Sequence, residues 1–205
     1  MNRRTSPAPH EVRIVGGRWR RSRLPVLHRP GLRPTPDRVR ETLFNWLGQD
    51  LTGWRCVDAF AGSGALGFEA ASRGAAAVWM IEAERDIYAN LMSVRQRLGA
   101  DVIDIECADA PQALVRATPG SWDLIFLDPP FGTIDGLSLL ETVRPLLTAR
   151  GLVYVESARP VNPENLNWHL IRQGRAGQVH FHLLRPATLD PGAECVTTAE
   201  PGACP

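Results

Sequence analysis

From residue 54 onward, short apolar runs alternate with amphipathic stretches along the chain. Short apolar runs are typical of buried strands, and apolar positions three or four residues apart are typical of helices. This pattern predicts strands near 54–59, 77–82, 102–107, 122–128 and 152–156. It also predicts helices at 65–73, from the end of the 77–82 strand through Arg97, after Asp109 and near 137–148. Strands that alternate with helices form a parallel sheet covered on both faces.

Two more apolar runs, near 167–173 and 178–184, are separated by only a short glycine-containing loop. A loop of that length joins antiparallel neighbours, because a parallel crossover needs a dozen or more residues. We therefore predict an α/β fold with one mostly parallel sheet of seven strands.

The pattern differs before residue 54. Residues Val12 to Val26 alternate around the Gly16-Gly17 turn signal, which predicts a hairpin. A helix is expected to follow, with Thr35 as N-cap, and to end at Gly48. Its apolar face contains Val39, Leu43, Trp46 and Leu47, and we expect Arg33, Arg38 and Arg40 on or near the other side.

These patterns divide the chain into four parts. Residues 1–10 and 186–205 are polar and contain proline, and we expect both to be disordered. Residues 11–50 form the hairpin and helix, and residues 51–185 form the sheet domain.

Charge is distributed unevenly. Residues 1–40 contain eleven arginines against Glu11 and Asp37, a net charge of +9, so the remaining residues carry +1 − 9 = −8. Such asymmetry indicates a polyanion partner for the N-terminal part, and arginines interleaved with Trp19 suit RNA. The alternative is an edge hairpin kept soluble by arginine. The candidate RNA-binding residues are Arg13, Arg18, Arg20, Arg21, Arg23, Arg33 and Arg38.

The four cysteines show no metal-binding spacing, so no metal site is expected. Cys56 and Cys107 lie in apolar runs and are expected to be buried thiols in a reducing cytoplasm. No apolar run approaches the roughly 18 residues of a membrane span, so no membrane partner is expected.

A glycine-rich loop follows the first strand of the sheet. Gly62, Gly64 and Gly67 match the dinucleotide pattern, and Glu82 follows Gly62 by twenty residues. However, Asp58 lies beside the loop, where it would repel a pyrophosphate. An acid there suits a cation, and S-adenosylmethionine has an ammonium and a sulfonium but no phosphate.

Acidic residues stand at or just after the ends of four strands: Asp58, Glu82, Asp109 and Asp128. Ligands of such sheets bind outside the carboxyl ends of the strands. Glu82 is placed to accept the ribose hydroxyls, and Asp109 to accept the adenine amine. The alternative is that these acids only cap the helices that follow.

The fourth strand ends in Asp128-Pro129-Pro130-Phe131. Prolines cannot continue a sheet ladder, and two in succession fix a stiff, extended turn. The Asp128 carboxylate and the Pro129 carbonyl can accept the N–H groups of an exocyclic amine, and the Phe131 ring can stack on its base. The alternative is an ordinary turn.

Together with the stretches Arg13–Trp19, Gly31–Trp46 and Asp58–Gly74, this turn resembles the bacterial 16S ribosomal RNA guanine-N2 methyltransferases of the RsmD type. The resemblance implies a class I methyltransferase fold, S-adenosylmethionine as cofactor, and a small-subunit rRNA substrate in the ribosomal subunit or its assembly intermediate. We expect a monomer. By position it implies a cofactor site of Thr35, Asp58, Phe60, Ala61, Gly62, Ser63, Gly64, Gly67, Glu82, Ala83, Asp109 and Ala110, with Asp128, Pro129, Pro130 and Phe131 as the catalytic turn.

Three other functions remain possible from the residues alone. An adenine-N6 DNA methyltransferase would use the same turn, but nothing here resembles a separate target-recognition domain. A non-catalytic rRNA-binding assembly factor would keep the fold without the reaction. An NAD-linked oxidoreductase is disfavoured by Asp58.

Overall fold

The computed structural model describes residues 11–27, 37–130, 134–161 and 166–187. The predicted disordered segments lie outside these ranges, apart from Pro186 and Ala187, and so do Arg33, Thr35 and Phe131. Among the helices within them, none is long and apolar enough to cross a membrane.

The predicted alternation of strands and helices is confirmed. The elements in chain order are β1 Glu11–Arg13, β2 Arg23–Pro25, α1 Asp37–Trp46, β3 Arg55–Asp58, α2 Ala65–Ser72, β4 Ala77–Glu82, α3 Arg85–Leu98, β5 Ile103–Cys107, α4 Ala110–Val115, β6 Trp122–Leu127, α5 Leu140–Val143, β7 Leu147–Ser157, β8 Trp168–Ala176 and β9 Val179–Pro186.

Strands β3 to β9 form one seven-stranded sheet in the order β5-β4-β3-β6-β7-β9-β8. The first five strands of this order are mutually parallel, and β9 runs antiparallel to both of its neighbours. The carboxyl ends of β3 to β7 therefore lie along one side of the sheet, which we call the carboxyl edge; the other side is the amino edge. Apolar side chains of both sheet faces are buried, as the alternation requires.

One predicted helix is wrong in extent. The segment predicted as a helix near 137–148 contains only four α-helical residues, flanked by 3₁₀ turns at Gly136–Leu139 and Arg144–Leu146. Pro145 has no N–H to continue a helix. Strand β7 then begins at Leu147, earlier than predicted. Between the pairs Trp122–Leu147 and Leu124–Leu152 the register is irregular, with four residues of β7 opposite one of β6.

The predicted hairpin is present as β1 and β2, which pair antiparallel with Val12 opposite Leu24. We call residues 11–27 the N-terminal hairpin. Val12 and Leu24 are buried. The hairpin therefore packs on the domain rather than projecting from it.

Two residues differ from expectation in their burial. Arg40, expected on the outer side of α1, is fully buried, because it shares the packed face of the helix with Leu43 and Phe44. Cys107, expected to be buried, is exposed, because it ends β5 at the border of the sheet. Cys56 is buried as expected.

Candidate methyl-transfer site at the carboxyl edge

The acids predicted to share a site do lie along the carboxyl edge. Asp58 and Glu82 are the last residues of β3 and β4, Asp128 directly follows β6, and Asp109 follows the end of β5 by two residues. The charges of Asp128 and Glu82 both raise the pKa of Asp58, so these three carboxyl groups are close enough to interact.

Asp58 is 2% exposed and is tied to the glycine-rich loop. Its Oδ2 accepts a hydrogen bond of 2.9 Å from the backbone N–H of Gly67. Burial raises the pKa of Asp58 to about 7, because a carboxylate away from water loses hydration that the backbone hydrogen bonds from Gly67 and Phe60 do not replace. A cation bound nearby would favour its ionised form.

Glu82 supports the same loop from the neighbouring strand. Its Oε2 accepts from the Gly62 N–H at 2.9 Å, and its Oε1 accepts from the Glu84 N–H at 2.9 Å. Burial raises the pKa of Glu82 as well, against the effect of these bonds. Each carboxylate oxygen has a further lone pair with which to accept a ligand hydroxyl.

The loop glycines are required by geometry. Gly62 and Gly64 have φ of 51° and 77°, a region that favours glycine. A Cβ on Gly67 would come within 2.9 Å of the Met80 side chain and 3.1 Å of Asp58 Oδ2. Helix α2 therefore packs directly on β3 and β4, which brings the loop to the carboxyl edge.

Helix capping, the alternative explanation for the acids, holds for Asp109. Its side chain accepts from the Gln112 N–H at 3.2 Å and caps α4. Asp58 and Glu82 are not N-cap residues, since those of α2 and α3 are Gly64 and Glu84. Asp58 nevertheless accepts from the N–H of Gly67 in the first turn of α2, from outside the helix. Asp109 is exposed at the edge, and its contact with adenine stays a prediction.

The turn after β6 lies beside these acids. Asp128 and Pro129 are half-buried and Pro130 is exposed. The charge of Asp128 also raises the pKa of Tyr154 on β7, which is buried and donates to Glu156 Oε1 at 2.7 Å. Phe131 lies outside the described residues, so its stacking role stays a prediction.

Gly136 is a residue of this site that the sequence patterns did not indicate. A Cβ built on it would lie 3.0 Å from Val155 Cγ2, 3.3 Å from the Leu127 carbonyl oxygen and 3.3 Å from Pro129 Cδ. The backbone at Gly136 therefore packs against the turn. The sequence does offer one signal for Gly136. It follows the proline turn by several residues and stands at the start of a helical pattern.

The N-terminal hairpin lies along α2 and α3. Its turn is held at the end of α2, where the Arg18 N–H donates to the Ser72 carbonyl at 2.7 Å. Its return strand passes α3, where Arg97 donates to the Arg23 carbonyl and Asn90 to the Pro25 carbonyl. Arg13, Arg18, Arg20, Arg21 and Arg23 are exposed, and so is Arg38 on α1.

A buried ion cluster anchors this hairpin. Glu69 on α2 is fully buried, and its Oε2 accepts from the Val15 N–H at 2.8 Å. Glu69 also pairs with Arg73 Nε at 2.8 Å and with Arg40 Nη1 at 3.5 Å. Sequence reasoning missed this cluster, although Arg40 precedes Leu43 and Phe44 by three and four residues, which puts it on their face.

Among the described residues, no group of three or more His, Cys, Asp or Glu side chains is placed to hold a metal ion. The candidate site at the carboxyl edge consists of the glycine-rich loop, the acids at the strand ends and the proline turn.

Comparison with known proteins extends this description. A family model described as Conserved hypothetical protein 95 matches residues 12–185. The Ribosomal RNA small subunit methyltransferase D of Escherichia coli (strain K12) is 43% identical over 184 residues, which cover 84% of this chain and 89% of that protein. The protein of the same name from Haemophilus influenzae is 39% identical over 188 residues, with 87% and 96% covered.

Solved structures agree with these sequence matches. The Escherichia coli protein yhhF superimposes with a TM-score of 0.73 at 42% identity, covering 87% of this chain and 99% of that one. The similarity therefore includes the N-terminal hairpin as well as the sheet.

Proposed function

The chain belongs to the RsmD family of ribosomal RNA methyltransferases, and on that premise we propose that it methylates the exocyclic N2 amine of one guanine in 16S rRNA, with S-adenosylmethionine as cofactor. The observation that carries the proposal is the carboxyl edge, where a buried acid pair holds a glycine-rich loop beside Asp128 and the proline turn. A cation and an amine can both be accepted there.

The loop supports S-adenosylmethionine over a dinucleotide. A pyrophosphate site needs backbone N–H groups that point at the ligand. Here the N–H groups of Gly62 and Gly67 already donate to the carboxylates of Glu82 and Asp58. The loop therefore has acids where phosphates would need donors, and these acids suit an ammonium and a sulfonium.

The cofactor, when bound, supplies an electrophilic methyl group. Within this chain, Asp58 and the residues of the Gly62–Gly64 loop would hold its cationic methionine part. Glu82 would accept the ribose hydroxyls and Asp109 the adenine amine. Phe60, Ala61, Ala83 and Ala110 would line the site, and Thr35 would close one wall of it.

The Asp128 turn would activate the guanine. Its N2 lone pair is delocalised into the ring, so the amine is a weak nucleophile. Asp128 and the Pro129 carbonyl would accept its two N–H bonds and place the lone pair toward the methyl group. Positioning of this kind can lower a barrier by about 7–11 kcal/mol.

Charge at Asp128 also contributes. As the nitrogen–carbon bond forms and the sulfur–carbon bond breaks, positive charge appears on the nitrogen, and a neighbouring carboxylate favours it. The N2 proton then passes to Asp128 or to water. Pro130 keeps the turn rigid, and Phe131 would stack on the extruded base.

The substrate side of the proposal rests on the arginines of the N-terminal hairpin and on Arg38 of α1. They are exposed, and Arg18, Arg20, Arg21 and Arg38 form no ion pair among the described residues. We further propose that the protein acts as a monomer in the cytoplasm, on the small subunit or its assembly intermediate.

The test is a transfer assay with labelled S-adenosylmethionine and three acceptors: unmethylated small ribosomal subunits, naked 16S rRNA and duplex DNA. The product is digested and the methylated nucleoside identified by mass. We expect N2-methylguanosine from the subunit. N6-methyladenine from DNA would replace the proposal with the adenine-N6 enzyme, and cofactor binding without transfer to any acceptor would favour a binding factor.

A further inference from the structure

Strands β8 and β9 form a second basic segment of the chain, which we call the C-terminal hairpin. Residues 166–187 contain three arginines and three histidines but no aspartate or glutamate. The rest of residues 41–205 carries −8 − 3 = −11, so this segment is a basic island in an acidic domain. Its arginines, Arg172, Arg175 and Arg185, are exposed.

These arginines have no acidic partner within the described ranges. The ion pairs found there involve arginines at positions 13, 23, 40, 73, 116 and 144. Elsewhere in the domain, Arg116 and Arg144 pair with Glu106 and Glu141. The positive charge of the C-terminal hairpin is therefore available to a ligand.

The turn of this hairpin lies at the carboxyl edge. Leu127, the last residue of β6, is paired with Val155, and β7 continues to Ser157, which lies opposite His180 of β9. His180 thus stands two residues, about 7 Å, beyond the level at which β6 ends, and about two strand spacings, roughly 10 Å, to the side of it. The turn of the C-terminal hairpin and the Asp128 turn therefore lie at the same edge of the sheet.

Two arginines and a histidine lie at this end of β7, β8 and β9. Arg175 lies opposite His180, so their side chains share a face of the sheet. Arg175 Nε donates to the Gly177 carbonyl at 2.8 Å, which holds the guanidinium at the turn. Arg159 lies in the bend after β7, which is fixed by bonds from Ser157 Oγ to the Arg159 carbonyl and from the Val161 N–H to His182.

The acid of β7 is directed elsewhere. Glu156 is paired with Phe181, and successive residues of a strand alternate in face, so Glu156 lies on the face opposite to His180. Its Oε1 accepts from the Tyr154 hydroxyl. The corner formed by Arg159, Arg175 and His180 is therefore basic without a neighbouring carboxylate from this strand.

We propose that this corner is a second RNA-binding site, which holds backbone phosphates next to the target nucleotide. This inference rests on the proposed function. A base that is extruded into the carboxyl edge brings its flanking phosphates to the surface beside Asp128. A guanidinium that is already held by one hydrogen bond, as in Arg175, can bind two oxygens of a phosphate with its remaining N–H groups. Less side-chain entropy is then lost on binding.

Arginines on a border strand also have a structural explanation, since charge there prevents pairing with another sheet. Charge reversal separates the two roles. In Arg175→Glu the new carboxylate still protects the strand from pairing with another sheet, but it repels a phosphate. A purely protective role therefore predicts unchanged RNA affinity.

The experiment compares the full-length wild type, the double variant Arg159→Glu/Arg175→Glu and the control Arg150→Glu. Arg150 is an exposed arginine of β7 near the amino edge. Binding to unmethylated small subunits and to a 16S rRNA fragment is measured over a salt series. Calorimetry with S-adenosylmethionine and thermal unfolding report on the cofactor site and the fold.

For the double variant we expect at least tenfold weaker RNA binding and a salt slope reduced by about one or two, since each phosphate contact on a single strand contributes about 0.7. Cofactor affinity and unfolding should not change, and the control should bind RNA like the wild type. If the double variant unfolds early, Arg159→Gln/Arg175→Gln is used, with a smaller loss expected.

Unchanged RNA binding by a folded double variant would overturn the inference, even if the wild type methylates guanine as proposed. RNA binding that depends on this corner, in a wild type that transfers no methyl group, would instead retain the inference and overturn the proposed function. A wild type that binds no RNA would overturn both.

Discussion

The two basic hairpins of this molecule carry similar side chains but are attached in different ways. The N-terminal hairpin has three-residue strands and is held to α2 by Glu69, Ser72 and backbone contacts. The C-terminal hairpin is part of the main sheet, with strands of nine and eight residues. The N-terminal hairpin therefore packs on the surface of the domain, whereas the C-terminal hairpin is hydrogen-bonded into its main sheet.

They also point to opposite edges. The turn of the N-terminal hairpin lies at the end of α2, about one length of that eight-residue helix, roughly 12 Å, from the glycine-rich loop. The turn of the C-terminal hairpin lies at the carboxyl edge, about two strand spacings to the side of the end of β6. Net charge alone would assign RNA binding to the first hairpin, whereas position favours the second for contacts near the target base. An RNA that contacts both must extend along the height of the sheet.

The largest effect on methyl transfer is expected from Asp128, which belongs to neither hairpin. Asp128→Ala should lower the turnover of methyl transfer by about 10³-fold or more, because the amine loses an acceptor and a neighbouring charge. RNA affinity and S-adenosylmethionine affinity should stay near the wild-type values. Single-turnover kinetics and calorimetry test this, and near-normal turnover would reject the role of Asp128.

Detaching one hairpin without touching its arginines is the next test. Glu69→Gln should lower the free energy of unfolding by about 3–5 kcal/mol, since it leaves two buried guanidinium groups short of a partner. Proteolysis should then cut within residues 14–22 first. Glu41→Gln, the same change at an exposed position of α1, is the control; equal stability of both variants would mean that the ion cluster does not anchor the hairpin.

Reversing the charge of the N-terminal hairpin tests its share of RNA binding. Arg18, Arg20, Arg21 and Arg23, all changed to Glu, should weaken subunit binding by about 10- to 100-fold, with cofactor affinity retained. Combined with the reversal at Arg159 and Arg175, the losses should add, because the sites are far apart. If this variant binds subunits normally, the hairpin is structural.

A pH effect should arise at the cofactor loop. With its pKa raised to about 7, Asp58 keeps in the folded state a proton that the unfolded chain releases near pH 4. The contribution of Asp58 to stability should therefore fall as pH rises from about 4 to 7. S-adenosylmethionine favours the ionised form, so its affinity should rise with pH, by up to about tenfold per unit, and level off near 7.

Calorimetry in buffers of different ionisation enthalpy measures the proton released on cofactor binding. Asp58→Asn should remove both the released proton and the pH dependence below 7. The same pH dependence in that variant would assign the titration to another group.

The smallest effect is expected at Gly136. An added Cβ in Gly136→Ala should shift the proline turn by a few tenths of an ångström, because its contacts of 3.0 and 3.3 Å must relax. Turnover should fall a few-fold with cofactor affinity unchanged, since correct positioning of the amine is lost. The control is Gly120→Ala, where an added Cβ meets nothing within 4 Å but the φ of 63° strains the backbone, so that it reports on a loss of stability remote from the proline turn. Equal turnover in the two variants would contradict the positioning role.

Much of the fold followed from local patterns. The strand β4 was predicted at its observed bounds, and the antiparallel order of β8 and β9 followed from the short loop between them. The long helix near 137–148 was wrong because apolar spacing resembles a helix even where Pro145 and a bulged strand interrupt it. The spacing of apolar residues indicates which side chains share a face. It does not indicate where backbone hydrogen bonds change from those of a helix to those of a strand.

The sequence by itself determined the alternation of strands and helices, the glycine-rich loop, the acids along one edge and the uneven distribution of charge. Each of these features depends on residues that lie close together in the chain, so it can be inferred from short stretches of sequence. Only the tertiary structure decided that Arg40 is buried while Arg38 is exposed, that Glu69 anchors a hairpin, and that the β8–β9 turn lies at the same edge of the sheet as Asp128. Burial, pKa and the meeting of distant charges depend on which surfaces pack together, and residues far apart in the chain supply those surfaces.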